Sequence, residues 1–478
     1  MLAAALVAAL LAVVLRVPLL FDDPWAPGYD GWYYVLQARS ILDGQALFAD
    51  SSLVHPLLAA IGWLVGDVVV GNKLATCLFA AIGAGGAAVG AARWTGRASA
   101  GWVAGLWWAA APGHVVLSSE FLKNEAGIAV LGLLLAVLPG CERRVGLWVS
   151  ALVFATLGLL VHKLTGVFGL VLVVGYGGMR LQDGRLPRWV WLAGLGIAAA
   201  SGLALGVLRP EDLERFAGGQ AEGSRLGLIA TSVRIPLGLR ASLLLTHLAP
   251  VALAALLLGR GGAPLRALGV PLVLVALATT ALGLPFGFDL TSWRLLILGF
   301  IPGSFLMAAL VARAPDARIP KWAWAVLPAT LALAHLPWTV PHVARAEPDY
   351  AAWNEVLPVI QARVPATDRV VAHRGVCGFV WAVGDRICEN FDPQGSADGW
   401  WRITYAVGRD DLAPYSPVEP VPLVLGYTLV PESAWRRFRA EHDRSHPYVR
   451  HPLNPFRERP AYVYGPGRGT PEPGESDE

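Results

Sequence analysis

The run from Leu2 to Leu20, LAAALVAALLAVVLRVPLL, is long enough to cross a bilayer as a single helix, and comparable runs recur as far as about residue 340. A chain with so many apolar stretches of that length folds in lipid. There, every backbone polar group must find a partner inside the protein, and helices satisfy this within each segment. Composition agrees: 55% of the residues are hydrophobic and 15% are charged, against about 25% charged in soluble domains. The first run lacks a basic start and a clear cleavage site, so it is expected to remain as the first transmembrane helix. The net charge of +3 is small and scattered, which excludes a nucleic-acid-binding surface as the organising feature.

Spans of about 20 apolar residues are expected near residues 2–20, 71–92, 98–117, 125–140, 145–162, 165–180, 188–208, 241–259, 267–284, 295–312 and 321–340, about eleven in all. The segment 53–66, SLVHPLLAAIGWLV, is short and carries a proline, so it is expected to be an interfacial or re-entrant helix in the first outer loop. Leaving it out gathers the loop cations on one side: Arg93 and Arg97, Arg143 and Arg144, Arg180, Arg185 and Arg188, Arg260 and Arg266, and Arg313, Arg318 and Lys321. That pattern marks the cytoplasmic face and puts the N-terminus inside. Arginine far outnumbers the four lysines (Lys73, Lys123, Lys163 and Lys321), which points to a GC-rich coding sequence and a bacterial inner membrane.

The opposite face then collects the unusual polar residues. Asp30 lies in FDDPWAPGYDGWYYVLQARSILDG, residues 21–44, among Tyr29, Trp32, Tyr33 and Tyr34, rings that favour the lipid–water boundary. Two readings are open: an N-cap on an interfacial helix that ends at Gly44, or a carboxylate placed for chemistry. The SSEFLKNEAG turn carries Glu120, Lys123, Asn124 and Glu125, where acids could merely favour the start of a helix. His162 and Lys163 end another span, as a snorkelling pair or as phosphate ligands, and Arg294 precedes the tenth span, as an anchor or as a phosphate ligand.

From about residue 345 the chain turns charged and proline-rich, with an α/β pattern: a helix near 348–362, a strand at Arg369–His373, a helix at Gly375–Val383, strands at Arg386–Phe391 and Pro422–Leu429, a helix at Glu432–His442, and strands around Tyr448–Arg450 and Ala461–Tyr464. Three parts are expected: a transmembrane domain over 1–344, a small periplasmic α/β domain over 345–464 and a disordered tail over 465–478. Cys377 and Cys388 both fall in the periplasmic part and could pair as a disulfide in an oxidising compartment, whereas Cys77 and Cys141 belong to membrane helices. Trp400 and Trp401 could stack on a sugar ring or fill a core.

An outer loop with an acid ahead of an aromatic pair, DGWYYVLQARSILDG, then an apolar HP segment, then the KNEAGIAV turn, resembles the integral-membrane C-type glycosyltransferase superfamily, whose donors are polyprenyl-phosphate or polyprenyl-diphosphate sugars. The resemblance implies a polytopic helical membrane fold with a C-terminal α/β domain, and a sugar moved from a polyprenyl-phosphate carrier to a glycolipid, glycan or protein acceptor at the periplasmic face. It implies that Asp30 is the catalytic base or orients the acceptor. KNEAGIAV is similar to the DNE turn of oligosaccharyltransferase catalytic subunits, with Glu125 on the second acid and Lys123 where the first acid would stand. That lysine disfavours a divalent Mg or Mn ion, though the metal is left open, and GWWRITYA at 399–406 only echoes the WWDYG motif of that family.

The expected division of labour follows. Asp30, with Glu125 and Glu120, would serve as acid and base; Lys123, His162, Lys163 and Arg294 would hold the donor phosphate; Tyr33, Tyr34, His55 and Asn124 would contact the acceptor. One base predicts inversion at the anomeric carbon, while a second close carboxylate would permit retention. The alternatives are a glycan polymerase or ligase, an oligosaccharyltransferase-like enzyme, and a lipid or solute transporter. A transporter would be expected to show paired halves with midplane breaks, which are not evident in the sequence.

Overall fold

The computed structural model describes residues 1–28, 30–44, 52–120, 122–141, 145–184, 186, 188–208, 263–283, 297–313, 334, 336–337, 339, 349–372, 374–389, 395–405 and 407–442. The expected span 241–259, most of the span 321–340, the last two strands, the tail 465–478 and Arg294 lie outside the described residues, as does the side chain of Glu120.

Ten helices occupy the first part of the chain: α1 Leu2–Leu20, α2 Gly31–Leu42, α3 Val54–Val65, α4 Val68–Thr95, α5 Ala98–Ala110, α6 Pro112–Glu120, α7 Leu122–Val137, α8 Val145–Val161, α9 Lys163–Gln182 and α10 Arg188–Leu208. Two more, α11 Ala263–Gly283 and α12 Phe300–Arg313, follow. By length and composition, four stretches among the described residues can cross a membrane: Leu2–Leu20, Val68–Thr95, Leu122–Gly140 and Lys163–Gln182. The outward faces are apolar as lipid requires: on α1, Leu2, Leu6, Leu10 and Val14 are all exposed. Inside, small residues let the helices close up. At Gly86 on α4 an added Cβ would lie 2.5 Å from the backbone of Gly132 on α7.

The span expected at 98–117 is two helices. Ala111 takes an extended ψ of 139° and Pro112 opens a new helix, α6. Proline crowds the residue before it out of the helical region and removes an amide hydrogen, so the helix breaks there. The short segment in the first loop is the helix α3, as expected, with Pro56 in its first turn, where a missing amide costs nothing.

The C-terminal part combines helices α13 Tyr350–Arg363, α14 Arg374–Ala382 and α15 Glu432–His442 with strands β1 Arg369–Val371, β2 Cys388–Glu389, β3 Trp400–Tyr405, β4 Val421–Pro422 and β5 Tyr427–Pro431. The sheet order is β2-β1-β3-β5-β4, with β1 parallel to β2 and β3, and β5 antiparallel to β3 and β4. The single strand expected at Pro422–Leu429 is instead a hairpin, turned at Gly426 with φ of +76°, where a side chain would be strained. The central strand β3, absent from the sequence reading, holds the sheet to α15. Fully buried Arg402 donates from Nε to Glu432 Oε2 at 2.6 Å and from Nη2 to Glu432 Oε1 at 3.1 Å, a fork-to-fork pair. A disulfide joins Cys377 on α14 to Cys388 on β2, with Cα atoms 5.2 Å apart.

This unit is packed onto the membrane part through α2. Ala26, Trp32 and Val35 belong to the same buried cluster as Tyr350, Trp353, Phe379, Val380 and Leu429. Trp32 meets Phe379 and Tyr350 edge-on, at 5.5 and 5.9 Å between ring centroids. The Tyr350 hydroxyl donates to the Gly28 carbonyl, and Arg39 donates to the Ala382 carbonyl. Aromatic residues expected at the lipid boundary are therefore inside protein: Trp32 is 3% and Tyr34 4% exposed. The joint is close enough to require glycine at one point. A Cβ on Gly378 would lie 2.8 Å from the Cβ of Trp32. Gly378→Val is expected to cost about 1–3 kcal/mol by overpacking, read as a lower unfolding temperature and faster proteolysis of the C-terminal unit in detergent.

Candidate active site

Asp30 sits at the start of α2, 5% exposed, in the N-cap position with φ of −96° and ψ of −1°. Its carboxylate makes no capping hydrogen bond to that helix, so the first of the two sequence readings, a plain N-cap, does not describe it. The loop leading to it is anchored from α4. Buried Lys73 donates to the Asp23 carbonyl at 2.6 Å, lies 3.8 Å from the Asp23 carboxylate and sits over the Phe21 ring. Burial raises the Asp23 carboxyl above its ordinary range, opposed by the Trp25 amide and by Lys73. Lys73 was not among the sequence candidates; a lone lysine just inside an apolar span was the signal for it.

One face of α2 carries Trp32 and Val35 to the C-terminal unit, and the other carries Tyr34 and Ala38 into a second cluster with α3, α4 and α7. There the Tyr34 and His55 rings stack with centroids 6.0 Å apart, and Tyr33 meets both of them edge-on. The Tyr34 hydroxyl accepts a hydrogen bond from the Lys123 amide at 3.4 Å, which ties the first loop to the start of α7. The turn before α9 joins from the third side. Ser52 donates to the Val161 carbonyl at 2.6 Å, and the Leu53 amide donates to that of Leu160. His162 and Lys163 follow directly, at the N-cap and first position of α9. A Cβ on Gly127 would lie 2.0 Å from Thr165 Oγ1 and 3.0 Å from His162 Cβ, so glycine is what lets α7 meet this turn. Gly127 lies four residues after Lys123, on the same face of α7.

The structure thus brings together Tyr33, Tyr34, His55 and the Lys123 amide beside the α2 helix that Asp30 begins, with the His162 turn packed against Gly127 of α7. Asn124 is 3% exposed in the turn of Lys123. Glu125, expected in this group, points elsewhere. Two residues beyond Lys123 it lies about 200° round the helix, and it is fully buried with Oε1 2.6 Å from His114 Nε2. His114 and Arg16, both 0% exposed, were also not among the sequence candidates; an arginine in an otherwise apolar span is a polar signal of the same kind. Trp401 is half-buried, its Nε1 donating to Asp368 at 3.1 Å, and Trp400 lies against Arg369 at 5.5 Å. Among the described residues, no three His, Cys, Asp or Glu side chains gather as a metal site.

The fold is an apolar helical bundle with an α/β unit docked on the first-loop helix α2. The chain superposes on ArnT from Cupriavidus metallidurans bound to undecaprenyl phosphate with a TM-score of 0.56, at 15% identity over 89% of this chain and 97% of that one. The apo state of the same ArnT gives a TM-score of 0.55. The apo oligosaccharyltransferase of Archaeoglobus fulgidus gives 0.52, at 12% identity over 80% of this chain and 64% of that one. These are glycosyltransferases of the integral-membrane C type, and the chain has their fold. No protein-family model and no curated protein matches it.

Tyr34 is the side chain that links α2 to His55 of α3 and to the start of α7. Tyr34→Ala is expected to cost about 3–5 kcal/mol, as for other buried aromatic truncations, and Tyr34→Phe only about 0.5–1.5 kcal/mol for the lost hydrogen bond. Thermal unfolding of the two variants in detergent checks the difference.

Proposed function

We propose that the chain is a membrane glycosyltransferase that moves a sugar from a polyprenyl-phosphate carrier to an acceptor hydroxyl at the extracytoplasmic face. The N-terminus lies in the cytoplasm and the C-terminal unit outside, as the arginine-rich loops of the other face suggest. The observation that carries the reading is the joint of α2 with the Lys123 turn: a buried carboxylate heads the helix whose Tyr34 hydroxyl accepts the Lys123 amide. The transfer needs a base and a cation at the phosphate; the buried Asp30 carboxylate is the candidate base, and the amide contact holds the backbone of Lys123, the candidate cation, beside the same helix.

In this reading Asp30 takes the proton of the acceptor hydroxyl while its oxygen attacks the anomeric carbon. The bond from that carbon to the carrier phosphate breaks, and its electron pair leaves on the phosphate oxygen. Lys123, His162 and Lys163 hold the phosphate as its charge grows, with Arg294 as a further candidate. In this reading the ammonium groups of Lys123 and Lys163 supply the positive charge at the phosphate. Tyr33, Tyr34, His55 and Asn124 line the acceptor side. A single displacement by one base gives inversion, whereas retention would need a second carboxylate, Glu120 or Glu125, at the sugar; Glu125 is instead directed to His114, with Oε1 2.6 Å from Nε2.

Asp30→Asn is expected to lower transfer in vesicles by about 10²–10⁴-fold, the usual contribution of a general base, with binding of the labelled carrier lipid unchanged. Lys123→Met is expected to raise the donor KM about tenfold or more, since a charge-assisted contact to phosphate is lost. Native-like transfer by both variants would remove the constellation from the chemistry.

A further inference from the structure

The break between α5 and α6 leaves a polar problem in the interior of the bundle. Pro112 has no amide hydrogen, so the carbonyl of Trp108, four residues earlier, loses its helical partner. An orphaned backbone carbonyl away from water is costly. His114 takes its place, with Nδ1 lying 2.7 Å from that oxygen. A carbonyl only accepts, so Nδ1 carries a proton.

The other ring nitrogen, Nε2, lies 2.6 Å from Glu125 Oε1, and both side chains are 0% exposed. Two lone pairs do not approach so closely, so one further proton lies between them, on the imidazole or on the carboxyl. The ring has no room to turn: Phe300 stacks on it at 5.0 Å and 17°, and Trp108 meets it edge-on. Arg16 closes the cluster from α1. It donates from Nε to Ser118 Oγ at 3.0 Å and from Nη1 to the carbonyls of Ala109 and Ala12. The Ser118 hydroxyl in turn donates to the His114 backbone carbonyl at 2.8 Å. Four helices, α1, α5, α6 and α7, are joined by these bonds.

We infer that His114 and Glu125 form a proton-sharing lock, secured by Arg16, that fixes the α5–α6 bend and the first turn of α7 and so positions Lys123 for the carrier phosphate. Glu125 is then a positioning residue and touches neither sugar nor carrier. The lock grips α7 on the side opposite Gly127, the residue that meets the His162 turn. This rests on the proposed function for the role of Lys123, while the lock itself is read from geometry alone.

The test uses the purified full-length chain, with thermal unfolding in detergent and transfer kinetics in vesicles containing a polyprenyl-phosphate sugar. Glu125→Gln keeps a side chain that can donate to Nε2, so its kcat is expected to stay within about threefold of native. Glu125→Leu and His114→Leu are expected to unfold at lower temperature and to raise the donor KM more than they lower kcat. A Glu125→Gln chain that unfolds as the native does yet loses about a hundredfold or more in kcat would overturn the inference, because Glu125 would then act on the reacting atoms. Leu variants with native unfolding temperature and native KM would overturn it too. If Asp30→Asn transfers sugar as the native chain does, the chemical reading falls, but the unfolding temperatures of the Leu and Gln variants still decide whether the lock exists.

Discussion

The structure depends on one helix being buried on two sides at once. Trp32 and Val35 of α2 enter the core of the C-terminal unit, while Tyr34 and Ala38, on the other side, enter the cluster shared with α3, α4 and α7. Burying an aromatic side chain of this size stabilises by roughly 1.5–3 kcal/mol, so α2 cannot shift without loosening one side or the other. Asp30 begins this helix. Its position is therefore set by the folding of both parts of the chain, through Gly378 against Trp32 on one side and Tyr34 against Lys123 on the other. In the proposed reading, fixing the helix that Asp30 begins contributes the pre-organisation that a displacement requires.

The second constraint is the helix break at Pro112. In lipid a break is tolerated only where the freed backbone groups find new partners, and here they are supplied by side chains from other helices: His114 for Trp108, Arg16 for Ala109. The break turns the chain early enough for α7 to begin beside Tyr34. Polar residues in the bundle interior thus fall into two groups with different work, one around α2 and the turns that meet it, the other around the bend.

Much of this was legible in the sequence. Among the described residues the apolar runs located α1, α4 and α7 to α12, and Glu432–His442 was read at its observed ends because its charged face alternates cleanly with buried Ala434, Trp435 and Phe438. Asp30 stood out through its aromatic company, and Cys377 and Cys388 are paired as one of the open readings had it. What was not legible depended on partners distant in sequence. Aromatic residues look the same whether they face lipid or another domain, so Trp32 read as interfacial. Strand β3 was missed because Arg402, a charge, points inward, and only Glu432 thirty residues on explains it. Lys123 and Glu125 read as one group because two residues in a turn are close in sequence; on a helix they face opposite ways.

The account is tested most directly by the anomeric configuration of the product. The purified chain in vesicles would be given a polyprenyl-phosphate-linked sugar of defined configuration, with a hydroxyl acceptor present, and the new glycosidic bond read by NMR. One carboxylate at the head of α2, with Glu125 locked to His114, predicts an inverted centre. A product of retained configuration would require a second reacting carboxylate and would contradict both the role given to Asp30 and the separation of the two polar groups.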